Sequence, residues 1–251
     1  MVDLHTHILP GIDDGARDWE DTYRMAAIAA DCGVDTLVCT HHANVPDLYK
    51  NYDSRFLDEL FEEMKERLRI GGFPLRVLRG MEIFSTEDVV DKIDAGILLP
   101  LHDTKYYLIE FDFFETPDFM EDTIFGIMEI GKMPIIAHPE RYVCLQDEPE
   151  ILHYWMTKGV LTQINRGSLQ GNFGSACEDA ARTFMDHHMV TCLASDAHRA
   201  TERTTEMGRI YRQVSLEYSE STARKLLNIN PRRVLAGDRV VHKDLIPFEK
   251  G

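Results

Sequence analysis

Residues 1–42, MVDLHTHILPGIDDGARDWEDTYRMAAIAADCGVDTLVCTHH, read as one complete strand–helix–strand unit. The apolar run at 2–6 has strand length. Residues 18–32 follow a helical pattern, opened by Asp18 as N-cap and stopped before Gly33. A second apolar run at 35–41 closes the unit. Both strands end in histidines: His5 and His7 on the first, His41 and His42 on the second. Side chains alternate along a strand, so His5 and His7 share one face and Thr6 takes the other. Two imidazoles side by side make half of a metal site. The same pair equally fits a strand end that merely meets solvent, and the decision falls to the residues downstream.

The unit repeats along the chain. Further strands are expected at 76–82, 106–111, 134–138, 160–164 and 190–195. Between them lie helical patterns. Residues 54–70 carry Phe56, Leu60, Phe61, Met64 and Leu68 at helical spacing before Gly71-Gly72. A shorter helix is expected from Thr86, where Ser85 and Asp88 have capping-box spacing. Thr116 and Pro117 read as N-cap and first helical residue of the next. Helices near 147–158, 175–188, 204–217 and 220–228 follow. Seven strands alternating with helices predict an α/β fold with a parallel sheet, in a closed or nearly closed TIM-like barrel. An open doubly wound sheet is the alternative, but neither GxGxxG nor GxxxxGK[ST] occurs to support it. No linker or composition break divides the chain, so residues 1–251 read as a single domain with a surface tail at 239–251.

Composition narrows the function. A net charge of −16 repels nucleic acid and anionic lipid. No apolar run approaches the roughly 20 residues of a membrane span, and no signal-peptide pattern opens the chain. The five cysteines (Cys32, Cys39, Cys144, Cys177, Cys192) are scattered and form no CxxC, as expected of a reduced, cytoplasmic protein. Cys177 comes nearest to a cysteine-phosphatase signature. In CEDAART, however, only four residues separate it from Arg182, and the segment reads as helix.

Barrel strands present functional groups at their C-terminal ends. Here the ends carry His5 and His7; Thr40, His41 and His42; Glu82; Glu110; His138, Glu140 and Arg141; Gln163, Asn165 and Arg166; then Ser195, Asp196 and His198. Core packing does not require such groups. A set drawn from every strand points to a centre of several metal ions.

These segments are where the chain resembles a known family. DLHTHILPGIDDGA, THH at 40–42, GMEI at 80–83, LIEF at 108–111, IIAHPERY at 135–142 and ASDAH at 194–198 are similar to the PHP (polymerase and histidinol phosphatase) superfamily of metal-dependent phosphoesterases. Within it they resemble most the bacterial protein-tyrosine phosphatases of capsule and exopolysaccharide operons, the CpsB/YwqE type. The segments occur in the family's order from residue 1 to about 236. A lone HxH would also fit amidohydrolases; the DDG element and HPERY are more specific.

The resemblance implies a distorted seven-stranded (β/α) barrel holding three divalent metals. His5, His7 and Asp196 would bind the first. Glu82 would bridge it to the second, completed by Glu110 and His138. Asp14, His42 and His198 would hold the third. Residue types alone leave Asp13 against Asp14, and His41 against His42, open. Nitrogen and oxygen donors without thiolate suit manganese, and also Fe, Zn, Co or Mg. Three divalent cations among four carboxylates would make the site locally positive within an acidic protein, fit for an anionic substrate. Arg141, three residues after His138, is expected to fork onto a phosphate, or to pair with Glu140 or another nearby acid. The family resemblance assigns Arg203 the same role.

The implied activity is hydrolysis of phosphotyrosine in proteins, the expected partner being the tyrosine-rich tail of a kinase of capsule or exopolysaccharide synthesis. A small-molecule phosphatase of histidinol-phosphate type and a non-catalytic metal-binding regulator are the alternatives. His187 and His188 are expected at a helix C-terminus. The acidic, aromatic run at 110–122 reads as a packed loop before a helix, with a flank of the mouth that receives a peptide as the alternative, and Arg199 as a substrate contact or an exposed loop residue.

Overall fold

The computed structural model describes residues 1–249. Nine strands are present among them: β1 (Val2–Thr6), β2 (Thr36–Cys39), β3 (His42–Ala43), β4 (Arg76–Arg79), β5 (Glu82–Phe84), β6 (Tyr106–Glu110), β7 (Met133–Ala137), β8 (Leu161–Asn165) and β9 (Cys192–Ala194). All pairings between them are parallel. They form a three-stranded sheet, β1-β2-β4, and a six-stranded sheet, β3-β5-β6-β7-β8-β9.

The runs expected at 35–41 and 76–82 are each interrupted, giving β2 with β3 and β4 with β5. Single hydrogen bonds carry the pairing across the gap: Gly80 N donates to Cys39 O at 3.0 Å, and Glu82 N to His41 O at 3.1 Å. Gly80 sits at the break because a Cβ there would lie 2.9 Å from Leu101 and 3.0 Å from Val38. Strand β1 meets the segment after β9: Asp196 N donates to His5 O at 2.9 Å, and His7 N to Ala197 O at 2.8 Å.

The helices are α1 (Trp19–Asp31), α2 (Arg55–Ile70), α3 (Val89–Asp94), α4 (Pro117–Glu129), α5 (Val143–Asp147), α6 (Pro149–Thr157), α7 (Arg166–Leu169), α8 (Ser175–Asp186), α9 (Gly208–Glu217), α10 (Glu220–Arg224) and α11 (Asn230–Leu235). Asp18, Ser54 and Thr116 accept from the backbone N–H of Asp21, Leu57 and Phe119, as N-caps should. The helix expected from Thr86 starts later and without a capping box. Thr86 donates instead to Asp88, and Ser85 turns to Thr123. The buried stripe of α2 is Leu57, Phe61, Met64 and Leu68. Phe61, Met64 and Leu68 are buried as their spacing implies, but Leu57 takes the place of Phe56, which is 65% exposed. The expected helix at 220–228 is α10 followed by a π turn at Lys225–Ile229 that leads into α11.

The strands are buried on both faces, as parallel strands under helices must be. Side chains such as Leu37, Ile109, Ile136 and Ile164 join the main core with the helices. Val2, Leu4, Val38, Leu78, Leu108, Ile135, Leu161 and Cys192 meet one another in a second cluster drawn from both sheets. The thiols of Cys39 and Cys192 are pushed up by burial, Cys39 to about 12, so these cysteines behave as core hydrophobes. His187 and His188 hold residues 244–248 against the end of α8. His187 stacks on Phe248, ring centroids 3.8 Å apart, and the Nδ1 atoms of His187 and His188 bond the carbonyls of Ile246 and Asp244. No helix among the described residues is long and apolar enough to cross a membrane.

Candidate metal centre

Nine side chains from the strand ends meet in one place. Glu82 is the hub. Its Oε1 lies 3.1 Å from His5 Nε2 and 3.0 Å from His138 Nε2. Its Oε2 lies 3.2 Å from His7 Nε2 and 3.0 Å from His42 Nδ1. Asp196 Oδ1 is 3.4 Å from His5 Nε2 and 3.5 Å from His7 Nε2. Asp14 Oδ1 lies 3.4 Å from both His42 Nε2 and His198 Nε2. Glu110 reaches His42 at 3.4 Å and His138 at 3.5 Å.

Three groups of donor atoms are close enough to share an ion: His5, His7 and Asp196; His7, Asp14, His42 and His198; and His42, Glu82 and Glu110. The first is the set expected. The second is the expected third set joined by His7. In the third, His42 stands where His138 was expected, although His138 Nε2 remains 3.0 Å from Glu82.

The ring orientations have local causes. Ionised Asp13 can only accept, so His7 carries its proton on Nδ1 and donates it across 2.8 Å, turning Nε2 inward. Asp13 also accepts from the backbone N–H of Gly15 and His42. The side chain of Gln163 gives its amide proton to Asn165, which turns its oxygen to His5 Nδ1 at 2.7 Å. Asn165 in turn donates to Asp196 Oδ2 at 2.6 Å. Gly15 lets the DDG turn close over β1, since a Cβ there would stand 2.2 Å from His7 O. His138 and Asp196 take positive φ, 33° and 49°. Such strain persists where the surroundings over-determine it, typically at functional sites.

The donor set fits divalent cations. Glu82 Oε2, Asp196 Oδ1, His42 Nδ1 and His138 Nδ1 are buried without a hydrogen-bond partner. Burial disfavours charge on the carboxylates, yet the neighbouring imidazoles hold Glu82 and Asp196 well below the usual range. The imidazoles supply the balance as protons. Burial opposes it, but Glu82 and Glu110 raise His42 to about 10 and His138 to about 9. The ionised carboxylates favour positive charge at this point, which bound metal ions would supply without protons.

The two arginines flank Asp196. Arg203 donates to Asp196 Oδ2, and Arg141 Nη1 lies 4.0 Å from the same oxygen. Arg141 does not pair with Glu140. Its guanidinium lies over Phe113 at 4.2 Å and Phe173 at 4.9 Å, and that of Arg203 lies 5.7 Å from Phe173. Glu140 is buried and accepts from Asn165 N and the Ser168 hydroxyl. Arg199 donates to Gly15 O and so braces the DDG turn. His41 is buried, is lowered to about 4 by burial, and belongs to none of the donor groups. Gln163 stands among the expected strand-end groups but had no role of its own there, and Phe173 lies in a loop with no local motif that would single it out.

Buried imidazoles and carboxylates gathered at the ends of parallel strands are the donor arrangement of metal-dependent hydrolases. The chain belongs to the CpsB/CapC family of capsular polysaccharide synthesis, whose model matches residues 1–236. It is 37% identical over 203 residues to the tyrosine-protein phosphatase YwqE of Bacillus subtilis (strain 168), covering 81% of this chain and 79% of that one. A crystal structure from work on YwqE of Bacillus subtilis and CpsB of Streptococcus pneumoniae, metal-dependent tyrosine phosphatases, is 33% identical, with a TM-score of 0.90 and full coverage of both chains. A histidinol phosphate phosphatase from Lactococcus lactis subsp. lactis Il1403 shares the fold alone: 14% identity, TM-score 0.56, covering 88% of this chain and 93% of that one.

Proposed function

We propose that this chain is a metal-dependent phosphatase that hydrolyses phosphotyrosine in proteins, acting in the cytoplasm on the tyrosine-rich tail of a kinase of capsule or exopolysaccharide synthesis. The observation that carries the reading is Glu82 standing among four imidazoles, with Asp196, Asp14 and Glu110 around them. The likeness to the tyrosine-protein phosphatase YwqE gives the substrate class.

In this reading three ions, manganese foremost, are held as the family resemblance implies. His5, His7 and Asp196 take the first, Glu82 bridges, Glu110 and His138 complete the second, and Asp14, His42 and His198 take the third. When bound, divalent cations supply an acidified water and positive charge against the phosphoryl oxygens. The chain's own residues do the rest. Asp13 and Gln163 hold the His7 and His5 rings with Nε2 inward. Arg141 and Arg203, beside Asp196, fork onto the phosphoryl oxygens as charge develops. A tyrosyl leaving group has a pKa of about 10, so it departs without a strong acid. The whole chain acts as one domain, and its strands are read as seven staves of a distorted barrel. The hydrogen bonds from β1 to the segment after β9, and the cluster drawn from both sheets, support that reading.

The test is a substrate panel. Purified protein, with manganese and with chelator, is offered a phosphotyrosine peptide, a phosphoserine peptide, histidinol phosphate and single-stranded DNA. Metal-dependent preference for the phosphotyrosine peptide is expected. Preference for histidinol phosphate would replace this reading with a small-molecule one, and activity on none would favour a regulator.

A further inference from the structure

The segment 43–52, which follows β3, is an over-determined loop. Asn44, Asp47 and Asn51 take positive φ of 63°, 60° and 38°. Val45 and Tyr49 form an antiparallel bridge. The Asn51 side chain donates to the carbonyls of Ile12 and His42 at 3.0 and 2.8 Å, and that of Asn44 to Phe84 O at 2.9 Å. Asn and Asp enter the positive-φ region more readily than other non-glycine residues, and the Asn side chains pin the loop in place.

What the loop presents is apolar. Leu48 is 72% exposed. The Tyr49 ring lies parallel to the imidazole of His42, centroids 5.8 Å apart. Val45, Leu48 and Tyr49 join Phe84 and Phe113, from the ends of neighbouring strands, around a cavity of about 290 Å³. The same cavity is lined by Asp14, His42 and Glu110, three of the candidate metal donors. Folding does not call for an exposed leucine on a pinned loop. An apolar cleft that ends in a few polar groups is the usual form of a small-molecule subsite.

We propose that this cleft receives the aromatic ring of the substrate's tyrosyl group, with the phosphoryl end directed toward the metal donors. The inference rests on the phosphotyrosine reading and adds what selects the aryl group. A flat ring fills a cleft of aliphatic and aromatic walls and gains contact along its length. A seryl or other alkyl phosphate has nothing to offer those walls, so the cleft favours aryl over alkyl esters before chemistry begins.

Leu48→Ala tests it, with Val45→Ala as a second variant; Leu48 is too exposed for its truncation to unfold the chain. One readout is the ratio of kcat/KM for phenyl phosphate to that for glycerol 2-phosphate with manganese-loaded protein. The other needs no turnover: the affinity ratio of phenylphosphonate to methylphosphonate by calorimetry. Both ratios are expected to fall about tenfold in each variant, as for a lost apolar contact in a binding pocket, with bound metal unchanged. Ratios that stay at the wild-type value in both variants overturn the cleft assignment, even where phosphotyrosine peptide remains a good substrate. Wild-type protein that cleaves neither the phosphotyrosine peptide nor phenyl phosphate overturns the functional reading instead, and the phosphonate ratio still judges the cleft.

Discussion

Asp13 accepts the Nδ1 proton of His7 across 2.8 Å, while the next residue, Asp14, turns to His42 and His198. Adjacent carboxylates therefore divide two tasks: one orients a ring, the other joins a group of candidate donor atoms. Replacing Asp13 with Asn keeps an acceptor but removes the charge that fixes the His7 tautomer. Metal affinity is expected to fall 10- to 100-fold, the usual cost of losing such a partner. Metal retained after dialysis, measured against wild type, checks it; equal retention would rule out the orienting role.

His5 sits at the centre of the donor set, between Glu82, Asp196 and His7. His5→Ala is expected to lose bound metal and phosphatase activity together. Retention of both would overturn the metal-centre reading as a whole.

Arg141 and Arg203 converge on Asp196 without belonging to any donor group. Arg141→Ala and Arg203→Ala are each expected to lower kcat by roughly 100-fold, comparable to removing one stabilising donor from a developing oxyanion, with metal content intact. Phe173→Ala, which removes a surface over which both guanidinium groups lie, is expected to cost less than either. Turnover at wild-type rates in both arginine variants would end their assignment to the phosphate.

Acid sensitivity follows from His242. Burial, helped by the charge of Lys225, lowers it to about 4, and its Nε2 bonds the Thr191 hydroxyl at 2.7 Å. The unfolded chain protonates this ring near 6.5. Between the two values the unfolded state binds a proton that the folded state refuses. Its contribution is thus full above pH 6.5 and lost as pH falls toward 4, amounting to at most about 3 kcal/mol. His242→Gln is expected to flatten the acid limb of a stability–pH curve measured by urea unfolding. An unchanged slope between pH 6.5 and 4.5 would contradict the assignment.

The parts of the fold that follow local rules were readable directly. Asp18, Ser54 and Thr116 cap their helices because capping depends on neighbours only three residues away. The capping box at Ser85 did not form, because Thr86 and Thr123 compete for the same side chains. In α2 it is Leu57 rather than Phe56 that begins the buried stripe, because which face is buried depends on what the helix packs against.

Residue types and their order determined the α/β class, the repeated strand–helix unit and the set of polar groups at the strand ends. Those properties come from periods of two and 3.6 residues and from the rule that parallel strands end on one side. Only the tertiary structure decided the division between Asp13 and Asp14, the pairing of His5 with Gln163, the seat of Arg141 on Phe113 and Phe173, and the apolar wall raised by Leu48 and Tyr49 beside the donors. His5 and Gln163 are separated by 158 positions, and strand order and register bring them together. No local pattern encodes a distance of that kind; it is set when the strands pack.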